Sequence, residues 1–123
     1  FSTCRVEMTK SIHLISVTLP EQIGDLKKLE TLIVNLNQLT GFPQSLSNLR
    51  SLKTINASHN HFAIMPVVVY SLRNLDVIDL SSNKITAVPD GINSIQAIEI
   101  NLNQNQVLNA PRFLYLSLFD YLN

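Results

Sequence analysis

The stretch Leu29-Glu30-Thr31-Leu32-Ile33-Val34-Asn35-Leu36-Asn37-Gln38-Leu39-Thr40-Gly41-Phe42-Pro43 decides the architecture. Within it, apolar residues at 29, 32, 34 and 39 keep fixed distances from Asn37 and Pro43. The same frame returns as Leu52, Ile55, Ala57, Asn60, Phe62, Pro66, then as Leu75, Ile78, Leu80, Asn83, Ile85, Pro89, and last as Ala97, Ile100, Leu102, Asn105, Val107, Pro111. The four asparagines Asn37, Asn60, Asn83 and Asn105 fall 23, 23 and 22 residues apart. A period of this length marks stacked units rather than one globular core.

The offsets have a physical reading. Leu32 and Val34 are two apart and point to one side of an extended segment, while Thr31, Ile33 and Asn35 point to the other. A single turn cannot bury its apolar side, so neighbouring turns stack their strands in parallel and share a continuous core. The asparagine follows the strand at a bend, where its amide can bond backbone groups of the bend and of the adjacent turn. The proline fixes φ where the chain leaves the turn. Apolar triplets then follow at a spacing of three, Leu46, Leu49, Leu52 and Val69, Leu72, Leu75, which suits a short helical or 3-10 segment on the outer wall. The expected fold is an α/β solenoid with a curved parallel sheet on its concave face.

Composition narrows the function classes. The 123 residues are 46% hydrophobic and formally neutral, so no field favours nucleic acid or an anionic membrane. The single Cys4 excludes an internal disulfide and points to an intracellular, cytoplasmic setting. Apolar runs are too short for a membrane helix, since residues 64–70 are interrupted by Pro66 and residues 112–121 are few.

The ends depart from the frame. Thr18, Leu19 and Pro20 look like the tail of an earlier turn, but Leu14 stands where an asparagine belongs and Ser16 where an apolar residue belongs. Residues 1–17 are therefore expected to be irregular, residues 18–111 to form about four repeats, and residues 112–123 to form an apolar tail. That tail carries Phe113, Tyr115, Leu116, Leu118, Phe119, Tyr121 and Leu122 in place of a polar cap. It gives the chain the look of a fragment of a longer array and supplies a candidate surface for self-association.

The frame L-x-x-L-x-L-x-x-N-x-L-x-x-x-P, with the run PEQIGDLKKLETLIVNLNQL, resembles the typical repeats of intracellular leucine-rich repeat proteins of the Ras-suppressor and Shoc2-like kind. The resemblance covers about residues 18 to 110 and implies a small protein made of repeats alone, with no catalytic domain. Related full-length proteins begin with a Met-Gly myristoylation-type start. This chain opens with Phe1, so no residue here supports membrane association.

Function in such a stack belongs to the outward strand positions. The candidate partner-binding residues are Ile33, Asn35, Leu36, Asn56, Ser58, His59, Asp79, Ser81, Asn101 and Asn103, a polar, short-chained row with an apolar end at Ile33 and Leu36. The expected partner is a protein or peptide, in signalling or scaffolding, with no nucleic acid, small-molecule substrate or cofactor. The plainer reading is that these are solvated strand residues. Other sites are thin. His59 and His61 form an H-x-H that a continuing strand would place on one face, but no third ligand is near. Asp76 and Asp79 are three apart without a cleft to separate their pKa values. Cys4 beside Arg5 lacks a base, and Lys27, Lys28 and Lys53 read as ordinary solvation. No nucleophile, base and pocket coincide, so the chain reads as non-catalytic. The second class of function is assembly, by end-to-end stacking of the exposed solenoid end.

Overall fold

The computed structural model describes residues 11–13, 18–92, 95 and 97–107. Five three-residue strands, β1 (Ser11–His13), β2 (Thr31–Ile33), β3 (Thr54–Asn56), β4 (Val77–Asp79) and β5 (Glu99–Asn101), form one parallel sheet in chain order. Their registers align Ile12, Leu32, Ile55, Ile78 and Ile100 in one row and His13, Ile33, Asn56, Asp79 and Asn101 in the next. The central residue of each strand from β2 to β5 is buried and its neighbours are not, the alternation that a period of two demands. Pairing continues past the strands, with the amides of Val34, Ala57 and Leu80 donating to the carbonyls of Asn56, Asp79 and Asn101 at 2.8 to 2.9 Å.

Three 3-10 helices, Glu21–Asp25, Gln44–Asn48 and Val67–Ser71, form the opposite wall. Each opens after a proline, Pro20, Pro43 or Pro66, whose φ of −74°, −68° or −70° is what the pyrrolidine ring imposes. The spacing of three then turns Leu46, Leu49 and Leu52 inward, and likewise Val69, Leu72 and Leu75; all six are buried. Between the walls lies one continuous core that runs from Leu19 to Leu102. Phe62 and Ala57 are both fully enclosed in it, and the Phe62 ring lies 5.0 Å from that of Phe42 in the preceding coil. Strands pack about 4.8 Å apart while the outer segments carry side chains between coils, so the stack bends with the strands on its inside.

The ladder begins earlier than the repeat frame suggests, inside the segment expected to be irregular. Ile12 pairs with Leu32 only twenty positions on, whereas Leu32 and Ile55 are twenty-three apart. The shortfall lies between strand and proline, because Ile12 precedes Pro20 by eight and Leu32 precedes Pro43 by eleven. A shortened turn hides the strand from a search keyed to the asparagine. The apolar tail, Pro111 and Cys4 lie outside the described residues.

Candidate functional site

The bend after each strand is the structural centre of every coil. Asn60 Nδ2 donates to the carbonyls of Ala57 and Ser58 in its own bend and of Val34 one coil back, at 3.0, 3.1 and 3.0 Å, while its Oδ1 accepts from the Leu39 amide at 3.0 Å. Asn83 repeats this toward Ala57, Leu80, Ser81 and the Phe62 amide. Asn105 repeats it again toward Leu80, Leu102, Asn103 and the Ile85 amide. Asn37 donates to Val34 and Asn35 within its own bend. The Oδ1 atoms of Asn60, Asn83 and Asn105 give the Leu39, Phe62 and Ile85 amides their acceptor, and the Nδ2 atoms add bonds to carbonyls at the end of the strand pairing.

One residue before each asparagine the chain adopts a left-handed conformation: Leu36, His59, Ser82 and Gln104 have φ of 59°, 55°, 56° and 61°. Of these types only histidine is enriched in that region, and for the others the conformation costs about 1 to 2 kcal/mol each. The sequence gives no signal for it. The consequence for the site is direct, since Leu36 is turned outward and is 71% exposed. His59 is exposed too, and because β3 ends at Asn56 no continuing strand sets His59 and His61 side by side.

The outward row is Ile33, Asn56, Asp79 and Asn101, one residue per coil at matched register, with His13 at the same register position at its head. That register position was missed by sequence reasoning, because β1 lies in the segment taken as irregular. Three of these side chains also hold the bend. Asn56 Oδ1 accepts the amide and hydroxyl of Ser58 at 3.2 and 2.9 Å, Asp79 Oδ1 those of Ser81 at 2.9 and 2.6 Å, and Asn101 Oδ1 the amide of Asn103 at 3.0 Å. This is the side-chain turn that Asx residues favour. Each keeps its other polar atom, the Nδ2 of Asn56 and Asn101 and the Oδ2 of Asp79, outside that bond. The row therefore offers donor, acceptor and donor in order along the sheet.

Other expected members fall into two groups. Asn35, Ser81 and Asn103 are half-buried beside the row. Ser58 is only 6% exposed and its hydroxyl is held by Asn56, so it supports the surface rather than presenting itself. Asn103 Oδ1 is buried and has no hydrogen-bond partner among the described residues. Thr31, Thr54, Val77 and Glu99 form a parallel outward row whose side chains are not part of any bend. Asp76 and Asp79 do not converge, since Asp76 is exposed on the approach to β4 and uses its carbonyl to accept from Ile98 and Glu99. The Lys53–Glu30 pair, 4.0 Å apart and exposed, adds little.

A parallel sheet of three-residue strands, walled by proline-led 3-10 turns and pinned by an asparagine in each coil from β2 to β5, defines a leucine-rich repeat solenoid. Family models described as leucine rich repeat match residues 13–62 and 74–95, more than half of the chain together, and the chain belongs to that family. Among solved structures it is similar to a leucine-rich repeat protein of Leptospira interrogans, with 27% identity and a TM-score of 0.74 over 84% of this chain. The match spans 26% of that protein's chain. No curated protein matches the sequence significantly. Leucine-rich repeat domains generally mediate protein–protein interaction, and no helix among the described residues is long and apolar enough to cross a membrane.

Proposed function

We propose that this chain is a non-catalytic binding module that takes a protein or peptide on its strand face, within an intracellular signalling or scaffolding assembly. The reading rests chiefly on the outward row Ile33, Asn56, Asp79 and Asn101, in which each polar side chain keeps one atom free of the bend it stabilises. Leu36 and Ile33 supply an apolar end to the same surface. Such a row offers hydrogen bonds in register with an extended segment but no Trp or Arg anchor, which suits a modest affinity spread over several coils. The intracellular setting is supported by the lone Cys4.

Substitution at the Asx positions would disturb the bends, so the test belongs to the neighbouring row. Thr54→Arg and Val77→Arg introduce bulk on the strand face without removing a bend hydrogen bond, and Lys84→Glu changes charge away from it. Affinity capture followed by mass spectrometry should show partners retained by the parent and the Lys84 variant and lost, at least tenfold, by the two arginine variants. Equal retention by all four proteins would refute the strand face as the binding surface.

A further inference from the structure

We propose a second site, on the convex rim, that binds the phosphoryl group of a phosphorylated segment of another protein between Arg50 and Arg73. These residues hold the same place in consecutive coils, just after the second and third 3-10 helices, and both are exposed. They flank a cleft of about 320 Å³ whose lining also includes Ser71, Asn74 and the buried Leu49 and Leu72. Asn74 Nδ2 donates to the Arg50 carbonyl at 2.6 Å and so fixes the two coils against each other at this point.

The electrostatics point to an anion. No acidic side chain lines the cleft. Among the described residues neither guanidinium has an ion-pair or hydrogen-bond partner. The two guanidiniums thus belong to adjacent coils at one cleft, two like charges with no acidic side chain in the lining. A dianion placed there would turn their repulsion into two attractions. Two guanidinium forks present planar pairs of N–H donors, and with the Ser71 hydroxyl in the same lining they supply donors enough for the three oxygens of a phosphomonoester, which carries about −1.5 to −2 charge at neutral pH. A single carboxylate would leave one fork unused. A recessed cleft on a chain with no net charge is a poor match to a lipid surface, which rewards a broad cationic face. The concave row is untouched by this site, so either can fail without the other.

The test is an NMR titration of the full chain with O-phosphoserine, observing arginine side-chain and backbone amide signals. Saturable shifts confined to Arg50, Arg73, Ser71 and Asn74 are expected, with affinity falling roughly tenfold or more in Arg73→Gln. Both arginines are exposed, so thermal melts of the variant should overlay the parent. If Arg73→Gln does not fold, the double variant Arg50→Lys, Arg73→Lys keeps both charges, lacks the forks and should show the same loss. Linear shifts shared by Lys27, Lys28, Lys53 and Lys84 would overturn the proposal, as would unchanged affinity in the variants. Binding to phosphatidylserine vesicles with no saturable response to O-phosphoserine would overturn it in favour of a membrane surface.

Discussion

Asn83 illustrates how one side chain holds three stretches of backbone. It is buried, donates to carbonyls of its own bend and of the coil before, and accepts from the Phe62 amide at 3.1 Å. Truncation to alanine would leave the Phe62 amide enclosed without its acceptor, while the carbonyls of Ala57, Leu80 and Ser81 would each keep one other donor, and an unsatisfied buried group costs about 1 to 3 kcal/mol. Asn83→Ala should therefore lose about 1 to 3 kcal/mol in chemical denaturation, whereas an exposed asparagine would show almost no change. Tyr70 makes a different contribution. Its hydroxyl donates to the Pro89 carbonyl at 2.9 Å, and burial, then the nearby Asp90, push its pKa up to about 12. The folded state thus holds the proton more tightly than the unfolded chain, whose tyrosine titrates near 10. Stability linked to Tyr70 is complete below pH 10 and declines as pH rises toward 12. Melting temperatures across that window should fall more steeply for the parent than for Tyr70→Phe; equal slopes would show that the phenol is not held in this way.

At the scale of elements, the asparagine and proline positions were legible because each performs one local task that few residue types can perform. The triplets at spacing three gave the outer turns for the same reason, and Leu46, Leu49 and Leu52 are indeed all buried. Two features were not legible. The left-handed positions fall on Leu36, His59, Ser82 and Gln104, four unrelated types of which only histidine is enriched in that conformation. Strand β1 was hidden because its coil is shorter and lacks the asparagine by which the others are recognised. The site divided similarly: the outward row followed from alternation, but the bend-holding role of Asn56, Asp79 and Asn101 depends on turn geometry that spacing alone does not show. Close approach of the first two 3-10 helices is a further packing constraint. A Cβ on Gly24 would lie 2.7 Å from both the Cβ and the carbonyl oxygen of Ser45, and Ser45 Oγ is bonded to the Glu21 carbonyl at 2.7 Å. Gly24→Ala should cost about 1 to 3 kcal/mol through overpacking, read as a lower denaturant midpoint. An unchanged midpoint would mean that these coils stand further apart.

Across the whole molecule, each coil touches its neighbours and the core is shared only between adjacent layers, so stability is a sum of nearest-neighbour terms. The asparagine ladder couples those terms: Asn60, Asn83 and Asn105 each tie the coil they belong to onto the one before. It also sets the strand face in register, and the proposed binding surface depends on that register. Leu39, Phe62 and Ile85 report on the ladder individually, because their amides donate to the Oδ1 atoms of Asn60, Asn83 and Asn105 at 3.0, 3.1 and 2.9 Å. Native-state hydrogen exchange at these three amides is the most direct measurement. All three should be protected to the level of the strand amides in the parent, with Phe62 losing protection first in Asn83→Ala; exchange of the three at the rate of exposed loops in the parent would contradict the ladder and the surface built on it.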